Sequence, residues 1–368
     1  MSTDAQTVLR TEGLAKSYGT VAAVRDVRLS VRKGEIFGFL GPNGAGKTTT
    51  ILMLLGIEKP TSGTIEMFGQ SAPFDPYTVK RRLGVVCEHQ YMYDDMSAWE
   101  YLQFFGALNQ VPRFEARAQE LLERLHLWEF RRLRARDHSR GMQQKLGLAR
   151  ALLHKPEFLI LDEPVSGLDP HGIRQVREIL SDENKRGVTI FISSHILSEV
   201  ERTADRVGIL FGGRLIAEDT VERIGARLRP DSVLELLIEG FTPLLLRALE
   251  AAPFVRKVLT QSDRADVART HLAVHTTPGE DQRRAVSAIV TGNDGLIIEM
   301  AQARVSLEEA FVQLTAEAIT SAYPEGGNPT DIAPLPAPVA PAIRPPKAPT
   351  PAKPASTKPG RRPNRSAR

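Results

Sequence analysis

Cysteine is almost absent: Cys87 is the single one in the chain. An internal disulfide is therefore impossible, and a reducing compartment is expected. No apolar run approaches the roughly 18 residues that a membrane-spanning helix requires. The first residues, MSTDAQTVLRTEG, contain acids and no apolar core segment, which argues against a signal peptide. Positive charge is also scarce where a nucleic acid would need it. The formal charge of the chain is +4, but residues 324–368 contribute +6, with eight Lys or Arg against Glu325 and Asp331. The rest carries −2 and lacks the electrostatic footprint of a nucleic-acid binder, so no nucleic-acid partner is expected. The same tail holds 13 of the 25 prolines and few large apolar residues. From residue 321 onward a disordered Pro/Ala-rich basic tail is expected, because it cannot bury enough surface to offset its ordering entropy. Free solvation and contact with anionic lipid headgroups are both open for it. A cytoplasmic protein follows, with membrane association only through a partner.

What is present suits two or three domains over 368 residues. From residue 8 to about 219, short apolar runs alternate with helical stretches, which predicts a largely parallel, helix-covered sheet. The strand candidates are GEIFGFL (34–40), GTIEMF (63–68), FLILD (158–162), VTIFIS (188–193) and RVGIL (206–210). Between 97 and 153, AWEYLQFFGAL and ARAQELLERLHLW space their apolar residues three and four apart, predicting a helical insertion. After residue 224 the pattern changes to SVLELLIEGF, THLAVHTT and GLIIEM, strands with helices between them. A last helix is announced by Ser306 and Glu309, spaced as a capping box. This places a small α/β domain over 226–320, without a catalytic motif or any repeat of the first.

Chemistry concentrates in two places. Gly41-Pro42-Asn43-Gly44-Ala45-Gly46-Lys47-Thr48 matches the phosphate-binding G-x-x-x-x-G-K-[ST] loop, followed by Thr49, between a predicted strand and a predicted helix at 48–55. Glycines let the backbone approach phosphates closely, and the helix start adds a favourable dipole. Lys47 would reach the β- and γ-phosphates, and the Thr48 hydroxyl would ligate Mg²⁺. Asp162 ends the apolar run FLILD and Glu163 follows it directly. Asp162 is assigned to the metal, and Glu163 to activating the attacking water as general base.

One feature is not explained by a single phosphate site: a second helix start, Ser139-Arg-Gly-Met-Gln143. GPNGAGKTT, SRGMQ, LILDEP, SGLD and SSH occur in that order, and residues 8–220 resemble an ATP-binding cassette (ABC) ATPase. The resemblance implies an α/β P-loop NTPase cassette over 1–225, with a helical subdomain at about 90–155. It also implies two half-sites per chain: Ser139, Gly141 and Gln143 would complete the ATP site of a second cassette, so a dimer is expected. Asp169 would lie in the loop linking the two sites. Tyr18 resembles the aromatic that stacks on adenine, with a turn role as its alternative. His195 resembles the switch histidine at the γ-phosphate, with a structural role as its alternative. Glu88 stands in register where the family has a Gln that contacts Mg²⁺ and the attacking water, and Gln90 lies two residues on. Arg140 replaces a glycine, its side chain expected to point outward. The arginines at 131, 132, 134, 136 and 140 suit a solvated helical face better than RNA.

The layout of one cassette and a small C-terminal domain resembles ATPase subunits of bacterial exporters with a separate permease, the class handling drugs, lipids, polysaccharides or sodium. An ATP-hydrolysing subunit that drives such a permease is expected, peripheral on the inner face of the membrane. A groove at 88–101 would receive a permease helix, with Tyr91, Met92, Tyr93 and Trp99 as anchors, although Trp99 and Tyr101 also suit the helical core. The alternative is a soluble ABC ATPase acting on ribosomes or DNA.

Overall fold

In the computed structural model, residues 6–75, 78–228, 232–262, 269–277, 281–302 and 306–322 are described. The basic tail expected from 321 onward lies almost entirely outside them. The chain opens with two twelve-residue strands, β1 (Thr7–Tyr18) and β2 (Val21–Arg32). In β2, Val27, Leu29 and Val31 point into the core, while Arg28 and Arg32 face out, the alternation of a half-buried strand. Next come β3 (Ile36–Leu40), α1 (Lys47–Leu54), β4 (Ser62–Met67), β5 (Gln70–Ser71) and β6 (Leu83–Val86). The helical insertion follows as α2 (Ala98–Leu108), α3 (Phe114–Arg124) and α4 (Arg140–Leu152). The α/β core resumes with β7 (Phe158–Asp162), α5 (Pro170–Lys185), β8 (Thr189–Ser194), α6 (Leu197–Glu201), β9 (Arg206–Phe211), β10 (Arg214–Thr220) and α7 (Val221–Leu228).

Two sheets build this part. The six-stranded sheet has the order β10-β9-β3-β8-β7-β6, parallel except for β10. Its central strands β3, β7 and β8 are buried at every residue, as strands covered on both faces must be. The second sheet, β2-β1-β4-β5, is antiparallel throughout. The expectation of one largely parallel sheet is corrected here: GTIEMF pairs with β1, not with the parallel core. The long strands β1 and β2 carry charged outward faces and bulges, with Gly13 and Asp26 at positive φ, which breaks the apolar pattern.

The helical insertion has its own packing. Ser97 and Glu100 form a reciprocal capping box at the head of α2, with the Ser97 amide donating to Glu100 Oε2 at 2.8 Å. Tyr101 is fully buried among Leu102, Leu121 and Leu122, and its hydroxyl accepts from Arg150 Nη1 at 3.0 Å. Trp99 packs edge-on between Phe114 and Trp128, with ring centroids 5.3 and 5.9 Å away.

Beyond α7 the chain forms β11 (Ser232–Glu239), α8 (Pro243–Glu250), β12 (Val255–Ser262), β13 (Arg269–Thr276), α9 (Arg283–Gly292), β14 (Leu296–Gln302) and α10 (Leu307–Ala322). The four strands make an antiparallel sheet, β12-β13-β11-β14, and α8 and α9 cover one face through Leu245, Leu249, Val286 and Val290. β12 had not been anticipated. The last helix turns back. Ser306 caps it, accepting from the Glu309 amide at 3.2 Å, and Leu307 and Ala310 pack against Val200 and Ile224 of α6 and α7.

Candidate active site

The phosphate loop bridges β3 and α1, and its glycines are required by crowding as much as by torsion. A side chain at Gly41 would run into the Leu210 carbonyl. Gly46 lies at φ 105°, and a Cβ there would come within 2.5 Å of the Ala23 carbonyl. Lys47 is buried, its Nζ donating to the Gly41 carbonyl at 2.8 Å and the Pro42 carbonyl at 3.3 Å, and lying 3.5 Å from Glu163 Oε1. The neighbours Asn43, Gly44 and Ala45 complete the turn, with Gly44 at φ 79°. The helix N-terminus therefore opens towards the same point as the buried ammonium, a setting made for an anion.

Asp162 and Glu163 sit where β7 leaves the sheet, beside β8. Ser193 joins them. Its hydroxyl donates to Asp162 Oδ1 at 2.5 Å and accepts from the Glu163 amide at 3.2 Å. Thr48 hydrogen-bonds the Asp162 carboxyl as well. Burial pushes the Asp162 pKa up; the hydroxyls of Ser193 and Thr48 oppose that, and the charges of Glu88 and Glu163 add to it. Oxygen donors of this kind suit a hard divalent cation. Among the described residues no group of three or more His, Cys, Asp or Glu forms a cage, so protein ligands alone would not enclose such an ion. The fit is to a cation that shares its shell with phosphate oxygens and water.

Glu163 is buried, and His195 Nδ1–H donates to its Oε2 at 2.8 Å. Lys47 and His195 therefore hold the two carboxylate oxygens from opposite sides. Glu88 lies in the loop after β6, close enough to Asp162 to raise its pKa. Gln90, the other candidate in that loop, faces away: its amide donates to the Cys87 carbonyl at 2.6 Å and to Gln144 Oε1 at 3.4 Å. Tyr18 stands at the lip, half exposed, with Lys16 Nζ 4.9 Å from its ring centroid and a hydrogen bond to Thr49.

The second helix start is elsewhere. Ser139 caps α4, its hydroxyl accepting from the Met142 amide at 3.3 Å. Gly141 lies against Gly167 and Leu168, and Asp169 caps α5 by accepting from the Gly172 amide at 2.8 Å. Gln143 does not point at a ligand in this chain; its amide donates to the Ala135 carbonyl at 3.1 Å. Arg140 is exposed, as expected, and from the surface it donates to Ser166 Oγ at 3.1 Å and lies across Gly167, whose missing Cβ makes room for it.

A family model described as ABC transporter matches residues 24–166. The bacitracin transport ATP-binding protein BcrA of Bacillus licheniformis is 44% identical over 224 residues, which is 61% of this chain and 73% of that protein. The daunorubicin resistance ATP-binding protein DrrA3 of Streptomyces coeruleorubidus is 33% identical over 318 residues, covering 85% of this chain and 97% of that one. This chain belongs to the ABC transporter ATP-binding family. A solved ATP-binding subunit of an ABC transporter superposes with a TM-score of 0.57 at 31% identity, over 60% of this chain and 93% of that one.

The cassette is thus an ATP-binding subunit of an ABC transporter, an ATPase whose hydrolysis is coupled to transport. Among its described residues no helix is long and apolar enough to cross a membrane. Sequence reasoning missed Ser193 as a site residue, although the SSH run contains it, because a serine ending a strand carries no pattern of its own. It also missed Gln144, which hides behind the more conspicuous Ser139–Gln143. The surface expected to receive a permease is rearranged. Tyr91 and Tyr93 are exposed and Met92 is partly buried, whereas Trp99 and Tyr101 belong to the helical core. Phe104 and Leu108 on α2 are exposed beside them, with the Phe104 ring 5.5 Å from Tyr93.

Proposed function

We propose that this cassette powers an exporter: two cassettes close on ATP, hydrolysis opens them, and the difference drives a separate membrane permease between two states. The observation that carries the two-cassette arrangement is the separation of two anion-type helix starts in one chain. Arg140 and Gly141 of the second helix start neighbour the 166–169 loop, while Lys47 faces Glu163. A partner's nucleotide is the natural ligand for the exposed Ser139 end, and an identical partner is the simplest. Export is supported by the relatives named for bacitracin transport and for daunorubicin resistance. The cassette would then sit on the cytoplasmic face, with Tyr91, Tyr93, Phe104 and Leu108 against the permease.

Within the site, Lys47 and the loop amides would hold the β- and γ-phosphates, and Tyr18 would stack on the adenine. Thr48, Asp162 and Glu88 would hold Mg²⁺, which when bound offsets negative charge on the phosphates. Glu163, steadied by His195, would accept the proton of the attacking water. Glu88 in place of an amide adds negative charge at the metal and should tighten its binding. Residues 1–225 form the working cassette in this scheme, and 226–320 an accessory unit whose last helix docks on the cassette.

The experiment is affinity purification of the Glu163→Gln chain from detergent-solubilised membranes with Mg-ATP. A stoichiometric partner with several membrane spans supports the exporter. Recovery of soluble chains or ribosomal material alone, with an empty membrane fraction, would sink it.

A further inference from the structure

Glu163 is held in a backbone conformation that a long L-side chain disfavours, φ 49°. Something must fix its two peptide planes. On the amide side, the N–H is shared between the carbonyl and hydroxyl of Ser193, each 3.2 Å away. On the carbonyl side, the oxygen accepts from the Ser166 amide at 3.0 Å and from Gln144 Nε2 at 3.3 Å. Gln144 is 3% exposed and stands on α4, the helix that Ser139 heads.

The other end of the Gln144 amide is also occupied. Its Oε1 accepts from Gln90 Nε2 at 3.4 Å, and the same Gln90 nitrogen donates to the Cys87 carbonyl at 2.6 Å. The amide end of Gln90 packs directly over Gly147 of α4, in the space a Cβ would otherwise take. A continuous run of contacts therefore leads from the loop after β6, through α4, to the backbone that carries the candidate base. Packing alone would not call for an amide in such a place. A buried amide is stabilising only when both its ends are paired, and an apolar side chain of equal size would fill the space at less risk.

We infer that Gln144 is a positioning residue for hydrolysis: with the Ser166 amide it sets the Glu163 peptide and, through Gln90, it ties the base to the loop after β6. The inference rests on Glu163 being the base, and the test separates the two.

The test compares Gln144→Met, Glu163→Gln and the double variant in the full chain, by Mg-ATP turnover and by binding of a fluorescent nucleotide. Gln144→Met keeps volume and removes the donor. It should lower kcat about tenfold while KM and nucleotide Kd stay within about twofold, the pattern of an interaction that matters in the transition state. In the Glu163→Gln background the same change should cost less than about twofold, because no base is left to misplace. Native kcat in Gln144→Met overturns the inference. So does an undiminished tenfold loss on top of Glu163→Gln, which would mark a purely structural residue. Native turnover in Glu163→Gln alone removes the base itself, and with it the ground for Gln144. If Gln144→Met fails to fold, Gln90→Met takes its place: a kcat loss confined to the Glu163 background supports the relay, and native kcat overturns it.

Discussion

His195 Nδ1 lies 2.8 Å from Glu163 Oε2, joining the loop after β8 to the carboxylate just past β7. The imidazole is half exposed and the carboxylate buried, so the pair reaches from the sheet to the surface where a γ-phosphate would arrive. Glu163→Gln keeps the shape and the contact with Lys47 but cannot take a proton. Turnover should fall by about 10²-fold or more, the usual contribution of a positioned base, with nucleotide affinity retained. Phosphate release against equilibrium binding measures both, and turnover within threefold of native would remove Glu163 from the role.

The phosphate loop has no slack. Gly46→Ala places a Cβ 2.5 Å from the Ala23 carbonyl at φ 105°, where an alanine is strained even in open space. We expect a stability loss of about 2 kcal/mol or more and loss of nucleotide binding. Urea denaturation and nucleotide titration check it. An alanine variant as stable as the native chain would mean that the loop relaxes freely.

Ser139 serves two ends at once. Removing its hydroxyl deletes a helix cap, at a cost of about 1 kcal/mol. In the two-cassette scheme it also deletes a ligand to the partner's phosphate. Ser139→Ala in the Glu163→Gln background should therefore be close to native in melting temperature yet weakened in ATP-dependent dimerisation, read by light scattering. Dimerisation at native strength would leave the exposed helix start without a role in the sandwich.

Acid should loosen the fold through two histidines. Burial pushes the pKa values of His138 and His154 down, so the folded chain takes up these protons less readily than the unfolded chain, which does so near pH 6.5. The unfolded state then binds more protons, and stability declines as pH falls below about 6.5. His154 Nε2–H donates to the Leu83 carbonyl at 2.9 Å, a bond that a glutamine amide can replace. The drop in melting temperature between pH 7.5 and 5.5 should shrink in His154→Gln. An unaltered drop would exonerate His154.

Charge on the exposed apolar patch tests docking. Phe104 and Leu108 are exposed on α2, well outside the helical core. Phe104→Glu with Leu108→Glu should abolish recovery of the cassette with membranes while leaving nucleotide binding intact. Undiminished membrane recovery would move the permease contact elsewhere.

Much of the site was legible along the chain because its chemistry is local. Gly41 to Thr48 is one loop, and the strand pattern on one side and helix pattern on the other say where it sits. Asp162 and Glu163 announce themselves as acids ending an apolar strand. The ordered runs of motif mark the cassette by themselves. The arginines between 131 and 140 were expected on a solvated face, and Arg134 and Arg136 pair with Asp95 there. Arg140 is exposed too, but its partner Ser166 is set beside it only by the fold.

What sequence alone determined is what depends on neighbours in the chain: the phosphate loop, the acids, the helix starts at Ser139 and Ser306, and the family. Tertiary structure decided what depends on partners far apart in sequence. The pairing of β1 with β2 and β4 as a separate antiparallel sheet is of this kind, since outward charges and bulges hide long strands from a pattern search. So is the burial of Tyr101 against the exposure of Phe104, residues of the same aromatic type three positions apart on one helix. Periodicity says that an apolar face exists; which neighbour it meets, and which side chains remain outside that contact, follows only when α3 and α4 pack against α2. The link from Gln90 through Gln144 to Glu163 spans three separated segments, and hydrogen bonds between such segments exist only once the chain has closed around them.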